Sequence, residues 1–535
     1  MKRRDFLRTA AAGAAATAVT PTLLNSIPLY AKTPADMLGS QAIDNDAILI
    51  IIQLFGGNDG LNTIIPVEND RYHAIRPQIR VPKNVAVRYA NSDVYLHPAL
   101  VNGINIDNKS TYGFMGLLDK GWLAVVQGIG YENPNLSHFR STDIWMSGIN
   151  SSDPGVRLSD GWMGRFIVSK YTDFPLNVPD YPLCIQVGGS VSLALQSQKG
   201  DTAIALLNPT EFFERGQGLS PDEDYMPGTD NFEKEFNFVR SVAEKSDKFG
   251  PMIKNAYDNG KTIVKEYYSA FEKQMGLVAR LISGGLKTKV YMLNIGGFDT
   301  HVQQQDASYG GVHPLLLNTL AGGITKFMAE AVQQGFANRV VGMTVSEFGR
   351  RPYENGSRGT DHGAASIQFA FGTKVKGGIY GNNPDLVNFN ANGDMVYQYD
   401  YRRVYAEVLQ TWFGASAGES DTILNEHIVP LPILHAPDTV GVNETPFAPV
   451  SDEYFTVSPN PATAAPVARF ELRQNATIEI AVYSMLGKRV AIAYSGTLSA
   501  GVHAIQLGSN FTAGDYICEI AAGGQRRRVP FSVIR

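Results

Sequence analysis

Four stretches of the chain consist mainly of apolar residues, many of them β-branched, and each gives way to glycine or polar residues. Apolar runs of strand length are typical of strands that are buried on both faces of a parallel sheet. They lie at residues 47–55 (AILIIIQLF), 122–127 (WLAVVQ), 290–295 (VYMLNI) and 339–345 (RVVGMTV). The pattern predicts a buried strand at each of these positions.

Helical patterns separate these strands, most clearly over residues 232–283 and 315–334. Strands that alternate with helices predict a doubly wound α/β domain with a mostly parallel sheet, which we place at residues 45–422. In such domains ligands bind at the carboxyl ends of the strands. The residues that follow each predicted strand are therefore the first candidates for a functional site.

The sequence changes character from residue 423. Residues 423–452 are rich in proline and have little helical pattern, which is typical of a linker. Residues 453–535 contain short alternating runs, among them ATIEIAVYS and YICEIAA, separated by Gly, Asn and Ser. This alternation predicts a small all-β sandwich as a second domain.

Residues 1–31 have the pattern of an export signal, with a basic start, an apolar stretch and a small residue at the end. Within them, Arg3-Arg4-Asp5-Phe6-Leu7 resembles the twin-arginine consensus, in which two arginines precede x-Phe-Leu. The alternative is a membrane anchor, but the apolar stretch is too short and too weakly apolar to cross a hydrocarbon core of about 30 Å. We therefore expect export of the folded chain by the twin-arginine translocase.

Composition and charge narrow the class of protein. The chain has 535 residues, of which 44% are hydrophobic and 18% charged, as in globular proteins of more than one domain. Its net charge of -5 gives no reason to expect a nucleic-acid partner. The cysteines, Cys184 and Cys518, are too few for a disulfide framework, a cysteine-based zinc site or an iron–sulfur cluster.

Two candidate site residues follow the first two predicted strands. Asp59 lies among glycines, where a carboxylate can bind a metal ion and the backbone can approach it; the alternative is an ordinary glycine-rich turn. Ser137 lies near the start of a predicted helix, where free N–H groups and the helix dipole favour an anionic nucleophile. The alternative for Ser137 is a plain helix cap.

The later strand ends carry side chains of ligand type in close succession. Asp299 and His301 follow the third predicted strand, and Glu347 follows the fourth. Asp361 and His362 come soon afterwards, in a glycine-rich loop. Carboxylates and imidazoles together suit a divalent metal ion, whose identity stays open between zinc, calcium and magnesium.

Arginines accompany these ligand-type residues. Arg350, Arg351 and Arg358 lie in the same two segments. A guanidinium group binds phosphate-like anions through paired hydrogen bonds. We therefore expect Arg350 or Arg358 to hold an anionic group of the substrate.

The order of these segments resembles that of a bacterial family called domain of unknown function 1501. The resemblance covers residues 47–414 and rests on the motifs FGGNDGLNT, NLSHFRSTDIW, GGFDTH, VSEFGR and GTDHG. That family is similar to a distant branch of the alkaline phosphatase and sulfatase superfamily. The resemblance implies an alkaline phosphatase-like α/β sheet and a metal-activated nucleophile.

The resemblance also implies a role for each candidate residue. Asp59 matches the metal ligand after the first strand, and Ser137 falls at the position of the nucleophile. The other metal ligands that it implies are Asp299, His301, Glu347, Asp361 and His362. Ser137 or a water molecule would then attack the ester.

The chain departs from the superfamily at two places. Residues 346–349 (SEFG) stand where the superfamily often has Ser-Asp-His-Gly, so Phe348 replaces a ligand histidine. A two-metal site would lack one ligand, which leaves a single metal ion or none. The residues around Ser137 do not match the Cys/Ser-x-Pro-x-Arg pattern of typical sulfatases, which argues against formylglycine chemistry.

The last domain has a resemblance of its own. The order of SPNP, VYSMLGK and AGDY within residues 458–516 is similar to that in the type A C-terminal sorting domain of the type IX secretion system, found in the Bacteroidetes. It implies delivery to the type IX secretion machinery and passage across the outer membrane. The alternative is a carbohydrate-binding or spacer sandwich.

Together these patterns predict an exported, metal-dependent hydrolase of phosphate or sulfate esters, acting on an anionic small molecule or a glycan ester. We expect it in the periplasm in transit, and then at the outer membrane surface or outside the cell. The rival hypothesis is a catalytically inactive surface binding or scaffold protein on the same fold, for which Phe348 is the best support.

Overall fold

The computed structural model describes residues 45–437 and 455–534, with gaps inside these ranges at residues 91, 102–104, 107–109, 112, 173, 176–177, 217–247, 473–475, 485–488, 500 and 523–524. The predicted export signal at residues 1–31 and part of the predicted linker lie outside the described residues. The chain divides into two compact units, Met1–Leu434 and His435–Arg535.

A sheet of nine strands forms the centre of the first unit. In chain order the strands are β1 (Ile48–Leu54), β2 (Leu123–Gly130), β3 (Cys184–Val187), β4 (Ala203–Leu206), β5 (Val290–Ile295), β6 (Val340–Val345), β7 (Ser366–Phe371), β8 (Gly378–Tyr380) and β9 (Tyr399–Asp400). Across the sheet the order is β4-β3-β5-β1-β6-β7-β2-β8, and β9 also pairs with β2. Both pairings of β7 are antiparallel, whereas the other described pairings are parallel. The prediction of an α/β fold with a large, mostly parallel sheet is confirmed.

Strand β1 lies in the middle of this sheet because it is apolar on both faces. All seven of its residues are buried. Ile50 and Ile52 pack into the core on one face of the sheet, and Leu49 and Ile51 into the core on the other. The strands predicted at residues 47–55, 122–127, 290–295 and 339–345 are confirmed as β1, β2, β5 and β6.

Helices pack on both faces of the sheet. Their bounds are α1 (Asp70–Ile75), α2 (Phe114–Asp119), α3 (His138–Ser147), α4 (Trp162–Lys170), α5 (Pro209–Gly216), α6 (Ala270–Ser283), α7 (Val312–Gln333), α8 (Arg402–Glu407) and α9 (Ala417–Leu424). Helices α2, α6 and α7 contribute to one core, and α3, α4, α8 and α9 to the other. Within the described residues, none of the helices combines the length and the hydropathy that a membrane crossing needs.

One predicted helical stretch is interrupted. The helix predicted at residues 315–334 is confirmed by α7, but the stretch predicted at residues 232–283 contains a helix over residues 248–259, a non-helical segment over residues 260–269 and then α6. The second helix starts where Ser269 and Glu272 form a capping box. Such a cap satisfies the first N–H groups of a helix and so favours a new start at this point.

The first unit extends beyond its predicted end at residue 422. Ile428, Leu431, Ile433 and Leu434 are all buried, in the same core as α9. Their apolar side chains hold this proline-rich segment against the unit. The predicted start of the linker at residue 423 is therefore too early, and the division between the units falls after Leu434.

The second unit is all-β in its described residues. Its strands are β10 (Thr456–Ser458), β11 (Val467–Leu472), β12 (Ala476–Ser484), β13 (Arg489–Leu498), β14 (Gly501–Gln506), β15 (Gly514–Ala522) and β16 (Gln525–Val533). They form two antiparallel sheets, ordered β10-β11-β14 and β13-β12-β15-β16. One apolar core, which includes Phe470, Ile480 and Phe531, joins the two sheets.

Candidate metal centre

Three neighbouring strands bring most of the predicted site residues together. Strands β5, β1 and β6 are parallel, so the segments that follow them leave the sheet at the same edge. A two-residue antiparallel ladder pairs Arg350 with His362 and thereby returns the later loop to this edge. Helix α3 begins at His138 and adds this residue.

Four side chains meet at this edge: His138, Asp299, His301 and His362, which we call the Asp299 cluster. The carboxylate of Asp299 lies 3.5 Å from Nε2 of His138, 3.1 Å from Nε2 of His301 and 3.2 Å from Nε2 of His362. Ligand atoms of His138, Asp299 and His362 all lie within 4.8 Å of one another. In the described part of the chain this is the one group of three or more such residues close enough to share an ion.

Each imidazole of the cluster is held through its other ring nitrogen, Nδ1. The partner is an oxygen atom in every case. The pairs are His138 with Glu347 at 2.8 Å, His301 with Asp361 at 3.0 Å, and His362 with the carbonyl of Leu136 at 2.9 Å. Oxygen partners of this kind orient the histidines of protein metal sites.

The oxygen partners of His301 and His362 also determine which ring nitrogen carries the hydrogen atom. A carbonyl only accepts, so Nδ1 of His362 donates and Nε2 of the neutral ring keeps its lone pair. Burial lowers the pKa of His362, which favours this neutral form. Asp361 likewise accepts a hydrogen bond from Nδ1 of His301. Its carboxyl group is an ionised acceptor, because a hydrogen bond from Asn355 holds the pKa of Asp361 below its usual value.

The Nε2 atoms of His301 and His362 lie 2.9 Å apart. When both rings are neutral and donate through Nδ1, both Nε2 atoms are acceptors, and two acceptors at this distance repel each other. A proton or a metal cation between the two atoms would remove this repulsion.

The spacing of the cluster fits a metal ion. Zinc binds imidazole nitrogen at about 2.0–2.1 Å and carboxylate oxygen at about 2.0–2.2 Å, which puts neighbouring ligands of a tetrahedral ion about 3.3 Å apart. Four pairs of ligand atoms in the cluster are separated by 2.9 to 3.5 Å. The group whose ligand atoms all lie within 4.8 Å of one another consists of His138, Asp299 and His362, and His301 lies beside it. A nitrogen-rich set of ligands suits zinc better than calcium or magnesium, which prefer oxygen.

Asp299 supplies the negative charge of the cluster. Partial burial raises the pKa of its carboxyl group, but the hydrogen bond and the charge of Arg350 outweigh burial, and the pKa lies at about 2. Nη2 of Arg350 lies 2.7 Å from Oδ1 of Asp299. The carboxylate is therefore ionised at neutral pH, and its side chain remains 47% exposed and accessible to an ion.

Glu347, a predicted metal ligand, supports a ligand instead. Its Oε1 accepts hydrogen bonds from the backbone N–H of Gly56 and, at 2.8 Å, from Nδ1 of His138. Its side chain is fully buried, and burial raises the pKa of its carboxyl group. Glu347 thus positions His138, just as Asp361, also a predicted ligand, positions His301.

Asp59 lies in a different environment, and the prediction that it binds the metal is wrong. It is fully buried, and Nη1 of Arg76 lies 2.6 Å from its Oδ2. The same oxygen accepts a hydrogen bond from Gln304 at 2.5 Å, and Oδ1 caps the turn at Leu61. Burial raises the pKa of Asp59, but the charge of Arg76 outweighs burial and lowers it. The cation that this carboxylate needs is already present in the chain.

A set of buried polar residues, which we call the Asp59 network, surrounds this carboxylate: Asp59, Arg76, His97, Gln304 and His313. Oε1 of Gln304 accepts hydrogen bonds from Thr300 at 3.0 Å and from Thr360 at 2.7 Å. These threonines lie in the two loops that carry Asp299, His301 and His362. The network therefore supports the Asp299 cluster from outside it.

The glycines of FGGNDGLNT allow a close approach of the backbone, but to the protein itself. Gly56 has φ +123°, and a Cβ atom there would lie 2.2 Å from the backbone nitrogen of Asp299. Gly57 has φ +85°, and a Cβ atom there would lie 2.6 Å from the ring of Phe348. These two positions let the first loop pack against the segments that form the cluster.

The two arginines predicted to bind the substrate anion do not meet in the site. Arg350 is fully buried and donates to four backbone carbonyls as well as to Asp299. Its donors are in use, so it positions Asp299 and is not free for an anion. Arg358 is exposed, and its Nε donates to Gln78 at 3.0 Å. No contact recorded for the described residues joins Arg358 to the cluster.

The motif NLSHFRSTDIW contributes a residue other than the one predicted. Ser137 is exposed, precedes α3 and makes no side-chain hydrogen bond to the helix end, so neither a nucleophile nor a side-chain cap is visible here. The next residue, His138, reaches the cluster, and sequence reasoning missed it. The available signal was the position of His138, which is a third histidine in a segment that follows a strand and is the first residue of a helix.

Phe348 stands where the superfamily often has a ligand histidine, and it forms an apolar wall. Its ring is buried, and its centroid lies 4.9 Å from that of His138 and 4.4 Å from that of His362. An aromatic ring offers no ligand atom to a second ion. Phe348 therefore adds no ligand to the cluster, and the number of metal ions stays a prediction.

Comparison with protein families supports the resemblance over part of the chain. A family model described as a protein of unknown function (DUF1501) matches residues 233–426. The match includes GGFDTH, VSEFGR and GTDHG, and with them three of the four cluster residues, whereas FGGNDGLNT and NLSHFRSTDIW lie before it. Among curated protein sequences, none matches this chain.

Three solved structures are similar to this chain at a low level. A protein in the alkaline phosphatase superfamily from Vibrio parahaemolyticus is 9% identical, with 100% of this chain and 92% of the other covered and a TM-score of 0.30. Ps i-CgsB in complex with k-i-k-neocarrahexaose is 10% identical, with 80% and 83% covered and a TM-score of 0.27. CopC from Methylosinus trichosporium OB3b is 12% identical, with 15% and 88% covered and a TM-score of 0.12. These scores are too low to support an inference about function.

Proposed function

We propose that this chain is a metal-dependent hydrolase that binds one metal ion in the Asp299 cluster. The observation that carries the proposal is the pair of Nε2 atoms of His301 and His362, which lie 2.9 Å apart beside an ionised carboxylate. Since three imidazoles and one carboxylate make up the cluster, zinc suits it best.

A bound zinc ion would supply a water of lowered pKa and would polarise an ester oxygen. The residues of the chain supply the rest. Glu347 and Asp361 orient two imidazoles, and Arg350 fixes the carboxylate of Asp299. The ring of Phe348 excludes water from one side of the imidazoles that it packs against. We assign the attack to water, because the exposed hydroxyl of Ser137 has no recorded contact with the cluster.

For the substrate we propose an ester of phosphate or sulfate, on a small molecule or a glycan, as the family resemblance implies. The half-exposed carboxylate of Asp299 leaves the cluster open to such a group. Arg350 is buried and donates to Asp299 and to backbone carbonyls, so we do not assign binding of the ester to it. The anion therefore binds at the metal centre itself.

The test begins with the metal content of the purified mature chain, followed by assays of aryl phosphates and aryl sulfates with and without a chelator. We expect about one equivalent of zinc per chain and activity that chelation removes and zinc restores. His362→Ala should abolish both. The matched control is His427→Ala, which removes an exposed histidine that is hydrogen-bonded to Asp421 outside the cluster.

Two results would count against this proposal. A chain that binds no zinc, and that is unchanged by His362→Ala, has no metal centre. A chain that binds one zinc ion but hydrolyses neither class of ester supports the alternative, a surface binding or scaffold protein, which the apolar Phe348 favours. Activity that disappears in Ser137→Ala while zinc stays bound would return the role of nucleophile to the serine.

We also propose a route for the protein: export by the twin-arginine translocase and then passage to the cell surface by type IX secretion. The support is the pair Arg3-Arg4 and the sorting-like order of SPNP, VYSMLGK and AGDY. Replacing both arginines with lysine should hold the protein in the cytoplasm, and deleting residues 453–535 should hold it in the periplasm. Surface delivery of either variant, measured by cell fractionation, would refute the corresponding step.

A further inference from the structure

Exposed apolar side chains border the Asp299 cluster. Phe139 follows His138 in the chain and is 83% exposed, and Val302 follows His301 and is 60% exposed. Phe55 is 43% exposed, and its ring centroid lies 5.6 Å from that of His138. We call Phe55, Phe139 and Val302 the apolar rim.

The position of these residues separates them from ordinary surface residues. Single exposed apolar side chains are common and need no explanation, whereas a group of them beside a functional site marks a binding surface. Phe55 lies near the ring of His138, and Phe139 and Val302 are the chain neighbours of His138 and His301. All three residues therefore adjoin the residues of the candidate metal centre.

The charged groups nearby do not compete with this apolar surface. Arg140, on the same helix as Phe139, donates to the backbone carbonyls of Ser151, Asp153 and Val156. Arg350 is buried and fully engaged. The guanidinium groups of Arg140 and Arg350 are therefore occupied by hydrogen bonds within the protein. The exposed surface beside the cluster includes the apolar rim.

We propose that the apolar rim binds a ring-sized apolar group of the substrate, next to the anionic group that the metal centre binds. This inference rests on the proposed function and refines it: the preferred substrates are aryl esters or esters of similar apolar character. Burial of an apolar group against these side chains is favourable, because it removes apolar surface from water. Polar esters of the same acid should bind less tightly.

The test uses the zinc-loaded mature chain and two ligands that are not hydrolysed, phenylphosphonate and methylphosphonate, with affinities measured by isothermal titration calorimetry. We expect phenylphosphonate to bind about tenfold more tightly than methylphosphonate, a modest gain for a partly buried ring. In Phe139→Ala the ratio should fall to about twofold. Folding should be unaffected, because the side chain is exposed and alanine suits a helix.

The matched control is Tyr268→Ala, which removes another exposed aromatic ring (74% exposed) just before α6, in a segment that contributes nothing to the cluster. This variant should keep the tenfold ratio. Phe55→Ala should reduce the ratio, as Phe139→Ala does. Agreement between the two rim variants, against an unchanged control, would support the proposal.

Each other outcome counts against it in a distinguishable way. Equal affinities for the two phosphonates in the unaltered chain would overturn the apolar rim as a subsite and leave the metal centre standing. A tenfold ratio that survives both rim variants would do the same. If neither phosphonate binds to the zinc-loaded chain, both the proposed function and the subsite fail. A change in sedimentation in Phe139→Ala with an unchanged ratio would assign the apolar rim to contact between copies of the chain.

Discussion

Asp59 and Asp299 each follow a central strand of the same sheet, yet they lie in opposite environments. Asp59 is fully buried, with Arg76 at 2.6 Å as its counter-ion. Asp299 is half-exposed and has three imidazole nitrogens within 3.5 Å. Both carboxylates have an arginine partner, but only Asp299 also has ligand-type neighbours that would share a cation with it.

The difference shows what distinguishes a metal ligand from a structural carboxylate at a strand end. Both residues are ionised, since nearby cationic or donor groups lower the pKa of each. Each carboxylate also has an arginine partner, Arg76 for Asp59 and Arg350 for Asp299, so compensating charge does not separate them. What differs is access and the neighbouring ligand atoms: Asp59 is fully buried, whereas Asp299 is half-exposed beside the imidazole nitrogens of His301 and His362.

The largest effect should follow from Asp59→Ala. This change leaves the guanidinium of Arg76 buried without its counter-ion, which typically costs about 3–5 kcal/mol. We expect the free energy of unfolding, measured by urea denaturation, to fall by about that amount. The protein that remains folded should still bind one equivalent of zinc.

The control is Asp59→Leu combined with Arg76→Met, which removes both charges and should recover part of the lost stability. The contrast between Asp59 and Asp299 would be contradicted if the folded Asp59→Ala variant lost its zinc but kept the stability of the unaltered chain. That result would make Asp59 a ligand after all.

The second effect concerns Asp299→Ala. Removal of this carboxylate should weaken zinc binding by about 100-fold or more, because even the outer partners of metal ligands contribute about 10- to 100-fold. A competition titration with a chromophoric zinc chelator measures this affinity. Stability without metal should change less than in Asp59→Ala, since Arg350 keeps its four carbonyl acceptors. Unchanged zinc affinity would refute the assignment of the cluster.

The fold could be predicted from the sequence where single segments carry enough pattern. The runs that became β1 and β6 are buried on both faces, and continuous apolar sequence reports this directly. Strands β3 and β4 were missed, because each has only four residues and β3 includes Gln186. Strand β3 pairs with β5 and β4 pairs with β3, and such pairing with distant segments is not contained in the local sequence pattern.

The sequence predicted which loops form the candidate site, but not which side chains within them are metal ligands and which are their partners. The motifs located the segments with Asp299, His301 and His362, and the structure brings these three residues together. The counter-ion of Asp59 is Arg76, which directly follows α1, so no local feature marked this carboxylate as structural. The Leu136 carbonyl that fixes one ring is a backbone group, which a sequence does not distinguish from any other.

A third, smaller effect tests the outer partners of the cluster. Glu347→Gln keeps the size of the side chain but weakens its hold on Nδ1 of His138, so zinc affinity should fall by about 10- to 100-fold. The matched control is Glu330→Gln. Glu330 is also buried and accepts backbone hydrogen bonds from Ile263 and Val264, with no recorded contact to the cluster. Equal losses in the two variants would show a general effect of buried carboxylates and would contradict the role assigned to Glu347.

The last effect is a pH dependence that arises mainly from two buried histidines of the Asp59 network. Burial lowers the pKa of His313 to about 3 and that of His97 to about 4, below the usual value for histidine of about 6.5. Above about pH 6.5 both histidines are neutral in the folded and the unfolded chain. As the pH falls below that value, the unfolded chain binds protons that the folded chain does not yet bind, so the free energy of unfolding decreases.

Each of these histidines should contribute up to about 1.4 kcal/mol per pH unit between about pH 6.5 and pH 4. The measurement is urea unfolding at several pH values, with a chelator present so that metal release from the Asp299 cluster does not contribute. His313→Gln should reduce the slope by about half, because the glutamine amide can donate to Asn58 as Nε2 of His313 does but takes up no proton. A slope that this variant leaves unchanged would place the acid-sensitive groups outside the Asp59 network.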